Sequence, residues 1–176
     1  MCDIENVVEN VAENTSEILV EDATENIVEK TDENDNIDYN LISRYKKREQ
    51  AFILSFESLF TECADIDELA DNAVDGNDEH MSDYAIMCAK GILANAEDID
   101  ALISKNLKKG WKISRISKVS YTLIRLAIFE MLYVEDVPVS VSINEAVELA
   151  KKYSVPDDSA FVNGVLGAVA KEIGNE

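Results

Sequence analysis

The stretch 141-VSINEAVELAKKYS-154 decides how the chain is read. Ile143, Ala146, Val147, Ala150 and Tyr153 recur at three- and four-residue steps, which places them on one face of a helix. Ser142 and Glu145 fit S-x-x-E, the capping box that ties two orphan backbone donors at a helix start. Just upstream, Val137, Val139, Val141 and Ile143 alternate as a strand would. A lone strand is unstable without a partner, and no second convincing strand exists to pair with it. The valines are therefore expected to form an extended lead-in to the capped helix.

Working outward, the same period recurs. Phe52, Phe56, Leu59 and Phe60 form one helical stripe, and Tyr84, Met87, Cys88, Gly91 and Ile92 a second. A third runs through Ile99, Leu102, Ile103 and Leu107 and stops at Gly110, a favourable terminator. Between the first two, a helical piece is expected around Ile66–Val74, followed by a loop at DGNDEH. Residues 116–133 contain YTLIRLAIFEMLY, apolar nearly all round, which predicts the central and most buried helix. Arg125 within it needs a buried partner, and a structural carboxylate fits better than RNA. Pro156, Asp157 and Asp158 punctuate and cap a last helix carrying Phe161, Val165 and Val169. Gly164 and Gly167 inside it each cost about 1 kcal/mol relative to alanine, so a close helix–helix approach is expected there. The fold class is all-α.

The charge is uneven. The 176 residues hold 36 acidic and 16 basic groups, a formal net charge of −20. Residues 1–42 hold 13 of the acids and one base, Lys30; the remainder holds 23 acids and 15 bases, a net of −8. Glutamate recurs at every fourth position from Glu5 to Glu29, and neighbours of like charge on a helix repel. Residues 1–40 thus read as an acidic low-complexity tail, disordered or loosely helical, ahead of a domain at 41–176. The tail either solubilises the protein or folds onto basic surface and competes with an anionic ligand.

Catalysis has little to work with. The single histidine, His80, lies in a polar loop and reads as solvated. There is no metal-ligand cluster, no GxSxG and no P-loop; GVLG at 164–167 is a weak match to a phosphate-binding loop. No cofactor is implied. The three cysteines, Cys2, Cys63 and Cys88, form no CxxC and are odd in number, as expected of reduced thiols in the cytoplasm. No apolar run approaches the roughly 20 residues of a membrane span, and no signal peptide opens the chain.

Two basic islands stand out in this acidic chain. Arg44, Lys46, Lys47 and Arg48 form the first, with Arg44, Lys47 and Arg48 on one helical face. Residues 105-KNLKKGWKISRISK-118 form the second: Lys105, Lys108, Lys109, Lys112, Arg115 and Lys118 with no acid among them. Such islands favour nucleic acid through counterion release, or merely balance acidic faces of the same domain. Phe56, Trp111 and Phe161 are candidate platforms for unpaired bases. Phe56 and Phe161 also lie on apolar stripes, where a core role is the simpler reading, and Trp111 at a helix end can plug the core.

VPVSVSINEAVELAKKYS followed by SAFVNGVLGAV resembles the C-terminal signature of the NusB family of transcription antitermination factors. RISKVSYTLIRLAIFEMLY resembles that family's central helix, and SRYKKREQAFILSF its arginine-rich start, so the likeness spans about residues 43–172 and leaves the tail outside. It implies a fold of two small helical bundles and no enzymatic activity. It also implies binding of the boxA element of nascent RNA together with NusE, a small-subunit ribosomal protein. The pair supports read-through by RNA polymerase in the antitermination complex of ribosomal RNA operons. By position, Arg44, Lys46, Lys47 and Arg48 match the RNA-binding start; Phe56 matches an aromatic implicated in RNA contact. Lys108 and Lys112 lie in a segment bordering the RNA, and Phe161 matches the aromatic of FVNG. Two positions depart from the pattern. Ala160 replaces a common basic residue, and Ser120 replaces a common acid at the surface implied to meet NusE. The competing reading is a helical protein-interaction module that binds a ribosomal or transcription partner without RNA.

Overall fold

The apolar stripes fold mainly as helices, with Leu59 and Phe60 in a 3-10 turn and Leu107 just past its helix, in the computed structural model, which describes residues 43–61, 65–77 and 80–174, the side chains of 74–77 excepted. The acidic tail expected at 1–40 lies outside those residues. In chain order the α-helices are α1 (Arg44–Glu57), α2 (Ile66–Asn77), α3 (Asp83–Ala94), α4 (Ala96–Asn106), α5 (Lys118–Tyr133), α6 (Val139–Tyr153) and α7 (Pro156–Ile173). Short 3-10 turns occupy Ser58–Phe60 and Ile113–Arg115, and no strand occurs among the described residues.

α5 is the axle. Every residue from Ser120 to Glu130 is buried, as its all-round apolarity demands. α1, α2 and α3 pack as one bundle against one side of α5, and α4, α6 and α7 form a second bundle around its remaining faces. One continuous core joins them, through Leu54, Ile92, Ile103, Leu123, Ile128, Leu149 and Leu166. Arg125 in α5 meets the carboxylate it needs: its Nε donates to Asp100 Oδ1 at 2.8 Å, and its guanidinium lies over the Tyr121 ring.

Two helix starts follow serine caps. The Ser82 hydroxyl accepts from Ala85 N in α3, and Ser117 accepts from Ser120 N in α5. α6 does not start as its S-x-x-E pattern suggests. Its N-cap is Pro138, whose carbonyl accepts from Val141 N at 2.8 Å and Ser142 N at 3.2 Å. Val139 and Val141 are therefore helical rather than extended. Ser142 lies one turn inside, buried, with its hydroxyl unpaired among the described residues. Proline fixes its own φ and starts the helix earlier, so the serine is a core position instead of a cap.

The glycines also sort differently from expectation. A Cβ on Gly164 or Gly167 would meet nothing within 4 Å, so no helix approaches α7 closely there. The close approach is at Gly91 in α3, where a Cβ would fall 2.2 Å from the Phe129 ring of α5. Gly110, with φ of +89°, turns the chain after α4; Trp111 N bonds back to Lys108 O at 2.9 Å.

Candidate nucleic-acid interface

The first basic island forms the start of α1, and the structure divides it. Arg44 is exposed; Lys46 and Lys47 are half-buried, with Lys46 Nζ 3.4 Å from Glu49. Arg48 turns inward and is only 4% exposed. Its Nε donates to Glu130 Oε1 at 2.7 Å, and its Nη1 lies 3.7 Å from Glu145. The Tyr84 hydroxyl donates to the same Glu130 oxygen, and Glu130 is 1% exposed. Burial, with that carboxylate beside it, pushes the Tyr84 hydroxyl well above its usual range; burial likewise pushes the Cys88 thiol up to about 12. Arg48 is thus committed to holding α1 against α5 and α6. Its charge is matched in the interior.

Glu49, also buried, does related work. It accepts from Lys152 Nζ at 2.6 Å and from the Tyr153 hydroxyl at 2.7 Å, tying α1 to the C-terminal end of α6. Burial alone would raise its carboxyl, but these two donors and the nearby lysines bring it below the usual range. The Tyr153 ring meets Phe52 at 5.0 Å between centroids; Phe52 meets Phe56 at 5.8 Å, and Phe56 meets exposed Phe60 at 5.1 Å. Phe56 is therefore half-buried in an aromatic ladder with an open end. Nothing in the sequence distinguished Glu49 from the other acids; its hydrogen-bond partners lie more than 100 positions away.

The second island is more open. Lys105 is taken by Glu172, at 2.6 Å. Lys108, Lys109, Lys112, Arg115 and Lys118 are exposed, and among the described residues none of the five pairs with a carboxylate. Trp111 projects from their midst, 48% exposed, so it is no core plug. One of its faces stacks on half-buried Phe161 of α7, centroids 5.5 Å apart and planes 27° from parallel. The structure thus brings Phe161 to the loop that carries Lys108 and Lys112. Ala160 beside it is exposed and brings no charge.

Ser120 sits behind this loop and is 1% exposed. Its hydroxyl donates to Asp158 Oδ2 at 2.9 Å, as does that of Ser117 at 3.0 Å and, more closely still, that of Ser154. Burial would raise the Asp158 carboxyl, yet the three hydroxyl donors bring it below its usual value. Asp158 thereby clamps the first turn of α5 to the junction of α6 and α7. Ser120 is buried in that clamp.

The profile of the NusB family matches residues 39–171. The chain belongs to the NusB family. It is 41% identical over 134 residues to the transcription antitermination protein NusB of Clostridium novyi, covering 74% of this chain and 99% of that protein. With the namesake of Acetivibrio thermocellus it is 50% identical over 93 residues, 53% of this chain and 63% of that one. Among solved structures, T. maritima NusB superposes with a TM-score of 0.64 at 34% identity, over 74% of this chain and 92% of that chain. The NusB of a crystal structure of antitermination factors NusB and NusE in complex with dsRNA gives 0.64 at 27% identity, over 74% and 99%. The two-bundle, all-helical architecture is that of these NusB structures. Among the described residues no helix is long and apolar enough to cross a membrane.

Proposed function

We propose that the chain acts in the cytoplasm as a non-enzymatic antitermination factor that binds boxA-type single-stranded RNA together with NusE. In this reading residues 41–176 form the RNA-binding domain, and residues 1–40 an acidic appendage. Arg44, Lys46 and Lys47 on α1, with Phe56, Lys108, Lys112 and Phe161, contact the RNA. Arg48 and Ser120 support the surface from behind. The complex so formed joins RNA polymerase and favours read-through in ribosomal RNA operons.

The observation that carries this reading is the run of five exposed cations, Lys108 to Lys118, none held by a carboxylate among the described residues, on a protein of net charge −20. Unpaired cations on an anionic body retain their field for phosphates. Aromatics beside them supply base stacking, while lysines and arginines hold the backbone. An anionic domain binds RNA weakly by itself, and a basic ribosomal partner adds field and area.

The test measures binding of labelled boxA-type RNA with and without NusE at two salt concentrations. Tighter binding with NusE, weakening steeply as salt rises, is expected. NusE binding without any RNA binding overturns the reading in favour of a protein-interaction module.

A further inference from the structure

Trp111 is the chain's single tryptophan and stands 48% exposed in its most cationic segment. Gly110 at φ +89° and the Trp111 N to Lys108 O bond fix the turn, and the Phe161 ring backs one face of the indole. The exposed Arg115 guanidinium lies over the ring, 5.9 Å from its centroid. That distance is at the outer limit of a cation–π contact, about 6 Å, so the guanidinium covers the ring only loosely. Lys108, Lys109 and Lys112, exposed on the same loop, carry charge suited to phosphates.

We infer that Trp111 is a stacking platform for one unpaired RNA base. The base lies on the indole, Phe161 supports the indole from behind, and Arg115 moves from the ring to the base or its phosphate. The inference rests on the RNA-binding reading above and deepens it by naming a contact. Occupancy by single-stranded RNA follows from charge: the loop that carries Trp111, residues 105–118, holds six basic residues and no acid, which suits a polyanion that carries flat bases. A stack has no charge requirement, so its contribution is insensitive to salt, unlike that of the lysines.

The experiment uses the full chain with NusE and labelled single-stranded boxA-type RNA, followed by anisotropy at two salt concentrations. Trp111→Ala is expected to weaken binding about tenfold at both salts, within the range of a single base stack. Trp111→Phe, which keeps a flat ring on Phe161, is expected to stay near wild-type affinity. Replacing the bases of the RNA one at a time with abasic sites identifies one position whose loss weakens binding to wild type but not to Trp111→Ala. Wild-type RNA binding with unchanged affinity in Trp111→Ala overturns the platform and leaves the RNA reading intact. So does an abasic penalty that persists in full in that variant at every position. Absence of RNA binding by the wild-type protein overturns both. Thermal melts of each variant show whether a loss of affinity reflects unfolding, which Trp111→Phe also controls.

Discussion

Removing the Arg48 side chain leaves the Glu130 carboxyl nearly sealed from water, without the cation that pairs with it and with the Tyr84 hydroxyl as its remaining hydrogen-bond partner. Breaking a buried pair from one side costs about 3–5 kcal/mol. Arg48→Ala is therefore expected to lower unfolding free energy by that amount in urea titrations. Arg44→Ala, four residues earlier and exposed, is expected to change it by less than about 0.5 kcal/mol. Equal stabilities would contradict the assignment of Arg48 to the interior. The contrast also shows what residue-scale reading gained and lost. Charge and helical spacing put Arg44, Lys47 and Arg48 on one face, and correctly so. They did not reveal that the last of the three points at a glutamate 82 positions away. The burial of Ser120 was equally unreadable: a small polar side chain carries no sign of it until Asp158 and two further hydroxyls are folded around it. Arg125 was legible because it sits in an unbroken apolar helix, where a charge must find a partner.

At the scale of elements, the long stripes were readable and the junctions were not. α5 declared itself through apolarity on every side, which only a central helix can carry. The start of α6 was misplaced because S-x-x-E occurs as readily inside a helix as at its end, and Pro138 held the stronger signal. The junction of α6 and α7 with α5 depends on Asp158, and its chemistry predicts a pH response. The folded carboxyl sits below its ordinary value, so the unfolded chain takes up a proton first as pH falls. The stabilisation from Asp158 is thus complete above the ordinary aspartate range, about pH 3.9, and disappears as pH drops through the lower folded value. Asp158→Ala is expected to melt below wild type at pH 7, and the gap is expected to narrow on acidification below about pH 4. Melting curves from pH 7 to 3 check this; a gap that widens toward low pH would contradict the sign.

At the scale of the whole molecule, the decisive quantity is where charge remains uncommitted. Both basic islands are candidate phosphate sites in sequence, yet folding spends them unequally. Arg48 is neutralised inside and Lys46 lies near Glu49, whereas Lys108 through Lys118 keep their fields. Lys108→Ala/Lys112→Ala should therefore weaken RNA binding more than twice as much as Lys46→Ala. For single strands, each phosphate contact contributes about 0.7 to the slope of log K against log salt. The double variant is accordingly expected to reduce that slope by about 1.4, and Lys46→Ala by less than about 0.7. Salt titrations of RNA affinity in the presence of NusE measure both slopes directly. An unchanged slope in the double variant would mean that these lysines do not meet phosphates. The net charge of −20 would then act against RNA across the whole molecule, and the 108–118 loop would be a solvated surface only.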